Sequence, residues 1–170
     1  MDFQVGDKVV YPSQGVSVVE SIGDEVLAGQ TMKCYHLRLL STSSKVMVPI
    51  SNRERVGLRP LSESAQVDGA LRRLRGEDAD GEHDWKDRYK ANLDRIKTGE
   101  LSEIVDVLLC LADVASRKTL SFRERKMFDH ARQLLVYEVA EVQSRDVDEV
   151  DHEVEAVIQD RIKTMTDEES

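Results

Sequence analysis

The pattern of hydrophobic and polar positions along this 170-residue chain changes its period once, near residue 60. Before that point, short runs alternate between apolar and polar residues, are rich in β-branched side chains and are separated by turn signals such as P-S-Q-G. This pattern is typical of strands that close a small barrel. Afterwards the apolar residues recur every three or four positions, as in helices. The chain is therefore predicted to be α+β, with a small β-barrel at 1–60 followed by an all-helical domain at 61–170.

Two neighbouring predicted strands, M-K-C-Y-H-L-R-L-L and K-V-M-V-P-I, present different residues on their two faces. Because side chains alternate along a strand, the valines of the second strand share one face, and Met47 and Pro49 share the other. In the first strand, His36 and Arg38 lie opposite the apolar face. If the valines form the core, Met47 is exposed and suits a protein interface. A surface methionine without a function fits the sequence equally well.

The second domain is predicted to be a succession of helices whose limits follow from start and stop signals. The first helix ends at Gly76, and the second begins after Asp84. The third helix, L-S-E-I-V-D-V-L-L-C-L-A-D-V-A-S, is the most apolar and is expected to be central. Ser121 and Glu124 form a capping box that opens the next helix. A last, acidic helix begins at Asp146, and the sequence leaves open whether it packs on the other helices.

The net charge of −9 is distributed unevenly along the chain. Residues 141–170 contain 11 acidic and 3 basic side chains and carry most of this charge. The rest of the chain is almost neutral, so it can still present a local basic surface.

Two of the predicted helix starts combine one aromatic side chain with several cations. An exposed aromatic ring among cations suits the stackable, negatively charged edge of a DNA duplex. Burial against a neighbouring helix is the alternative for both rings, and it is the more common environment for an isolated aromatic residue. The candidate nucleic-acid contacts are Trp85, Lys86, Arg88, Lys90, Phe122, Arg125 and Lys126.

The sequence contains no nucleophile elbow, phosphate-binding loop or metal-ligand spacing, and its four histidines are scattered. We therefore expect no enzyme activity, no cofactor and no small-molecule substrate. Cys34 and Cys110 lie far apart and are expected to be reduced thiols. No apolar run is long enough for a membrane span, and the start lacks the features of a signal peptide. These observations predict a cytoplasmic protein that does not bind membranes.

Several motifs between residues 3 and 142 occur in a characteristic order. They are F-Q-V-G-D-K-V-V-Y-P-S-Q-G-V, V-M-V-P-I, V-G-L-R, W-K-D-R-Y-K-A-N-L, I-K-T-G and L-S-F-R-E-R-K-M-F-D-H-A-R-Q-L-L. Together they resemble the CarD/CdnL family of bacterial RNA-polymerase-binding transcription regulators. The resemblance implies an N-terminal Tudor-like or SH3-like barrel that docks on the RNA polymerase β subunit. It also implies a helical domain that contacts promoter DNA at the upstream edge of the melted region.

The resemblance also implies roles for individual residues. Met47 and Pro49 match the polymerase-contacting strand, and Arg38 lies on the strand before it. Trp85 matches the aromatic residue that enters the minor groove at the edge of the melted region. Positions that match basic DNA contacts or neighbours of this wedge are Arg88, Lys90, Phe122 and Lys126. Asp87 stands where many members of the family are basic, and a carboxylate there weakens the attraction to phosphates.

The expected function is therefore stabilisation of the open promoter complex through DNA contacts with little sequence specificity. The alternative is a polymerase-bound protein adaptor whose helical domain recruits another protein without touching DNA. Asp87 and the acidic C-terminal segment favour this alternative. The two functions differ in salt dependence, because phosphate contacts weaken steeply as ionic strength rises.

Overall fold

The computed structural model of the protein describes residues 2–77 and 88–169. The chain forms two compact units, Met1–Leu61 and Ser62–Ser170. The first unit contains a sheet and the second contains helices, so the predicted α+β class is confirmed. In the described part of the chain, no helix combines the length and the apolar character that crossing a membrane requires.

The first unit is a sheet of the strands β1 (Lys8–Tyr11), β2 (Gly15–Leu27), β3 (Gln30–Leu39), β4 (Lys45–Pro49) and β5 (Arg59–Pro60). All neighbours are antiparallel, and the spatial order is β4-β3-β2-β1-β5. A 3-10 turn, Ile50–Asn52, and a short helix, α1 (Arg53–Val56), lie between β4 and β5 in the chain.

Local sequence explains the turns of this sheet. The P-S-Q-G segment joins β1 to β2, and Gly15 has a φ of 105°, which only glycine adopts at little cost. Ala28 and Gly29 form the two-residue turn between β2 and β3, with φ values of 51° and 78°. Both angles are positive, as in the turn that matches the twist of a tight hairpin.

The alternation of side chains in β3 and β4 produces the core of the sheet. Tyr35, Leu37 and Val48 are at most 2% exposed, as the period of two predicts. The Tyr35 hydroxyl accepts a hydrogen bond of 3.1 Å from the Phe3 backbone, and the two rings meet edge to face. Cys34 is also buried, and burial raises the pKa of its thiol. This group therefore remains protonated at neutral pH.

The described helices of the second unit begin and end close to the predicted signals. Ser121 and Glu124 form the predicted capping box: the Ser121 hydroxyl accepts from Glu124 N, and the Glu124 carboxylate accepts from Ser121 N. Asp146 accepts a hydrogen bond of 3.2 Å from Glu149 N at the start of the last helix. The helices are α2 (Ser64–Arg75), α3 (Arg88–Thr98), α4 (Leu101–Arg117), α5 (Phe122–Gln143) and α6 (Val147–Glu169).

Helix α4 is the centre of this unit, as its apolar composition predicts. It contacts α2, α3, α5 and α6, and ten of its residues are buried. Leu108 and Leu111 are at most 1% exposed, and Phe128 and Leu135 of α5 are equally buried in the same core. The amphipathic faces of the surrounding helices are buried against this helix, which supplies most of the stabilising apolar contact.

The acidic helix α6 packs on the other helices, which settles a point that the sequence left open. The sequence predicts an apolar stripe of Val150, Val154, Val157 and Ile162 for this helix. Val150 and Val154 are buried, as is Ile158, which that stripe omits. Val157 and Ile162, which that stripe included, are only partly buried. The stripe therefore follows the spacing of four residues from Val150 to Ile158.

Two arginines, one on α5 and one just after it, contact carboxylates of α6. Arg132 contacts Glu155 and lies 3.2 Å from Asp151. Arg145, just beyond α5, bonds to Glu149 at 3.0 Å and also to Glu153. These two arginines thus offset part of the negative charge of α6.

Candidate functional site

The predicted polymerase-contacting residues lie on the outer face of β3 and β4. Strand β4 is an edge strand, and its Met47 is paired with His36 while Lys45 is paired with Arg38. The Met47 side chain is 39% exposed, although Val48 beside it is buried. Pro49 ends the strand opposite Cys34 and is partly exposed. The structure therefore brings Arg38, Met47 and Pro49 together on two adjacent strands, and we call Arg38, Lys45, Met47 and Pro49 the sheet patch.

Arg38 is not a free cation on this patch. Its Nε donates a hydrogen bond to the Glu20 carboxylate, and this bond lowers the pKa of Glu20. Glu20 is the extra residue of a β-bulge, since Val19 pairs with Leu37 whereas Ser21 pairs with His36. A bulge redirects the side chains next to it. A partner that uses Arg38 must therefore accept the Arg38–Glu20 pair or displace the carboxylate.

Four residues at the start of the second predicted helix lie outside the described residues. They are the predicted cap Asp84 and the three residues that follow it, Trp85, Lys86 and Asp87. Arg88 is the first residue of α3, and Lys90 is exposed on its first turn. The sequence groups Tyr89 with Leu93 and Ile96 on one face, but Tyr89 is 37% exposed whereas Ile96 is buried.

The start of α5 is the best-defined part of the candidate nucleic-acid surface. Phe122 is 78% exposed, so the interpretation that its ring belongs to the core is wrong. The core position is filled by Phe128, which lies on a different face of the same helix, and Phe122 follows directly after the Ser121 cap. The ammonium group of Lys126 lies 5.7 Å from the centre of the Phe122 ring. A large apolar ring is thus held in solvent beside a cation.

The starts of α3 and α5 lie side by side in the structure. The Arg123 guanidinium stacks on the Tyr89 ring, 3.7 Å from its centre. Arg125 is also exposed, but its Nε is 3.6 Å from the Asp129 carboxylate. This carboxylate offsets part of the attraction of Arg125 for a phosphate. We call the exposed residues Tyr89, Lys90, Phe122, Arg123, Arg125 and Lys126 the aromatic-cation surface.

The capping box limits what the backbone at the start of α5 contributes to anion binding. The Glu124 amide is already bonded to Ser121, and the Glu124 carboxylate occupies the helix start. A helix dipole alone would favour an anion there, but a carboxylate already satisfies it. Attraction to phosphates on this surface therefore depends on its side-chain cations.

Asn92 holds α3 in place, a role that sequence reasoning did not predict. It is fully buried, its Nδ2 lies 3.4 Å from the Cys110 sulfur, and its Oδ1 accepts a hydrogen bond of 2.8 Å from Arg95. A buried amide in mid-helix is costly unless its hydrogen bonds are made. Arg95 also lies 3.7 Å from Glu103 of α4, which adds a second link between the two helices.

Within the described ranges, no group of three or more His, Cys, Asp or Glu side chains is arranged to hold a metal ion. A groove of about 390 Å³ between α5 and α6 is lined by several charged residues, including Asp129, Arg132 and Asp151. Arg132 contacts two carboxylates of this lining, Asp129 and Asp151, and also Glu155 of α6. These groups therefore serve helix packing.

Comparisons with known proteins agree with the order of the two units. The family model described as "CarD-like/TRCF RID domain" matches residues 3–62. The family model described as "CarD, C-terminal domain" matches residues 69–155. A Bacillus subtilis (strain 168) protein named "Putative transcription factor YdeB" is 31% identical over 137 residues, which are 81% of this chain and 90% of that protein.

A solved structure is also similar to part of the chain. It is the solution NMR structure of the 72-residue N-terminal domain of Myxococcus xanthus CarD. The sequences are 37% identical, the match covers 35% of this chain and 79% of that chain, and the TM-score is 0.31.

Proposed function

This chain belongs to the CarD/CdnL family of transcription regulators, and we propose that it stabilises the open promoter complex while docked on the RNA polymerase β subunit. In this proposal the sheet patch binds polymerase, and the helical unit contacts promoter DNA at the upstream edge of the melted region. The match of residues 3–62 to the "CarD-like/TRCF RID domain" model supports the first contact.

The exposed Phe122 ring among cations is the observation that carries the DNA-binding part. Because the Phe122 side chain is 78% exposed, it contributes little buried apolar surface to folding, and an exposed apolar ring of this kind suits binding. The neighbouring Lys126 supplies positive charge, and the contact between Arg123 and Tyr89 adds the start of α3, with Lys90, to the same surface. Cations attract the phosphate backbone, and apolar rings pack against unstacked bases.

The mechanism follows from differential binding and needs no catalytic group. Docking on polymerase raises the effective concentration of the helical unit at the promoter, so weak DNA contacts suffice. Trp85, in the segment before α3, inserts where base pairs are already separated and therefore binds the open form better than the closed form. A difference of about 1.4 kcal/mol changes the ratio of open to closed complexes tenfold.

Substitutions in the two units should separate docking from strand opening. Trp85→Ala removes the wedge, so we expect the open-complex lifetime to fall while affinity for polymerase is retained. Met47→Asp places a charge in the sheet patch, so we expect affinity for polymerase itself to fall. Val26→Asp is the matched control, because Val26 is 70% exposed but lies at the far end of the β2–β3 hairpin.

The measurements are binding of the full-length protein to polymerase and the lifetime of polymerase–promoter complexes after a competitor is added. An unchanged lifetime with Trp85→Ala would contradict the wedge. Wild-type affinity of Met47→Asp for the β subunit would remove the docking function from the sheet patch.

The adaptor function remains the second candidate because many arginines of the helical unit are engaged by carboxylates. Arg132 and Arg145 contact α6, and Arg73 contacts Asp106 of α4. If the helical unit only recruits a protein, Lys90→Ala should leave the salt dependence of binding to polymerase–promoter complexes unchanged. If Lys90 contacts a phosphate, the slope of log affinity against log salt should fall by about 1. Lys33→Ala, an exposed cation of the sheet unit, is the control.

A further inference from the structure

The contact between Arg123 and Tyr89 is the closest pairing of a cation with a ring in the described residues. The guanidinium carbon is 3.7 Å from the ring centre, compared with 5.7 Å for Arg125 on Phe128 and for Lys126 on Phe122. At 3.7 Å a planar guanidinium can stack on the ring, and stacking is a capability that lysine lacks. Such a contact orients both side chains and not only the charge.

The contact joins two segments that are far apart in the chain. Tyr89 is the second residue of α3, and Arg123 is the second residue of α5. The start of α5 is fixed by the capping box of Ser121 and Glu124. The Arg123 side chain therefore extends from a rigid turn to the start of α3.

The two ends of the first turn of α3 are held in different ways. Asn92, one turn after Tyr89, is buried against Cys110 of α4. Of the side chains described before Asn92 in this helix, Tyr89 is 37% exposed and Lys90 is also exposed, so neither is a buried anchor. Among the described contacts, the Arg123 stack is thus what fixes the start of α3.

We propose that Arg123 is a positioning residue of the DNA-contacting surface, and that its stack on Tyr89 is a strap that holds the start of α3 against α5. This inference rests on the proposed function. It goes beyond it because it gives Arg123 and Tyr89 a role that differs from phosphate binding.

Salt dependence separates a positioning residue from a phosphate contact. Loss of a phosphate contact lowers the slope of log affinity against log salt by about 1. Loss of the strap leaves the phosphate contacts in place but costs energy to order α3, so affinity falls while the slope is unchanged. The expected loss is about two- to fivefold, the range of an exposed interaction between a cation and a ring.

The experiment uses the full-length protein, RNA polymerase and a synthetic promoter duplex with a mismatched, premelted segment. Arg123→Lys keeps the charge but loses the planar stack, and Tyr89→Leu removes the ring. We expect both to weaken binding at an unchanged slope, and their combination to be no weaker than either alone. Tyr89→Phe keeps the ring and should bind as the wild type does. Lys126→Ala is the matched cation on the same turn and should lower the slope.

Three outcomes would overturn the strap: a reduced slope with Arg123→Ala, additive losses in the double variant, or wild-type binding by Tyr89→Leu. NMR of the free protein separates these failures from failure of the proposed function. The stack should shift the Arg123 side-chain signals upfield, and Tyr89→Leu should abolish that shift without DNA. If the shift is present but the wild type does not bind the premelted duplex, the proposed function fails while the strap stands.

Discussion

The two candidate surfaces of this protein are built in different ways. The sheet patch comes from two adjacent strands, in which Arg38 pairs with Lys45 and His36 pairs with Met47. The aromatic-cation surface comes from two helix starts that are 34 residues apart and meet through Tyr89 and Arg123. A sheet surface follows from alternation within a strand, whereas a helical surface of this kind requires the packing of the whole unit.

The two surfaces also differ in how their charge is used. On the sheet patch, Arg38 is bonded to Glu20 and brings little net positive charge. In the helical unit, Arg132 and Arg145 are bonded to carboxylates of α6, whereas Lys126 at the start of α5 lies beside the Phe122 ring. The sheet patch is therefore suited to a protein surface and the helix starts to a polyanion.

The largest expected effects test whether the two units are energetically separate. Leu108 in the helical core and Leu37 in the sheet core are both fully buried and belong to different apolar clusters. Each substitution to alanine should lower the free energy of unfolding of its own unit by about 2–5 kcal/mol, because it leaves a cavity. Hydrogen exchange followed by mass spectrometry should show faster exchange in that unit only.

Hydrogen exchange in the unit that does not carry the substitution provides the control. Exchange in β3 should be the same in Leu108→Ala and in the wild type, and exchange in α4 should be the same in Leu37→Ala. Faster exchange in both units after either substitution would show that they unfold together, and functional losses could then not be assigned to one surface.

The sequence predicted the features that depend on neighbours within a few residues. The period of two in β3 and β4 predicted that Val48 is buried and Met47 exposed, and both hold. The pair Ser121 and Glu124 predicted the start of α5, because both partners of a capping box lie within one turn. The apolar composition of α4 predicted its central place, since a helix that is apolar on most sides must be covered by others.

The sequence could not predict the features that depend on packing between distant segments. The exposure of Phe122 depends on which face of α5 meets α4, and Phe128 takes the core position instead. Tyr89 has the spacing of a core residue but is covered by the Arg123 guanidinium. The buried hydrogen bonds of Asn92 could not be foreseen either, because asparagine in a helix is usually at the surface.

A smaller effect is expected from the cap that fixes the aromatic-cation surface. Ser121→Ala removes the hydroxyl that accepts from Glu124 N, so the free energy of unfolding should fall by about 0.5–2 kcal/mol. Because the first turn of α5 carries Phe122, binding to the premelted duplex should weaken even under conditions where the unit is fully folded. Urea unfolding and duplex binding measure the two effects.

Ser64→Ala in α2 is the control, because Ser64 is exposed and is not a cap. Equal binding by both variants would show that the cap does not order this surface.

The smallest expected effect concerns the acidic end of α6. Thr166 Oγ1 lies 3.4 Å from the Ser116 carbonyl, so the end of α6 lies beside the end of α4, close in sequence to the start of α5. A carboxylate at a distance of about 10 Å repels a phosphate by about 0.4 kcal/mol in water, which is about twofold in affinity. Asp167→Asn should therefore raise affinity for the premelted duplex by about twofold or less at low salt.

Position along α6 provides the control for this effect. Asp148 is exposed at the opposite end of α6, about 28 Å from Asp167 by helix geometry. Asp148→Asn removes the same charge but should leave duplex affinity unchanged, because the distance exceeds the screening length of roughly 10 Å at 0.1 M salt. The gain from Asp167→Asn should itself disappear as salt rises. An equal gain from both variants at every salt concentration would mean that net charge alone sets DNA affinity. The packing of α6 against α4 would then have no part in tuning the aromatic-cation surface.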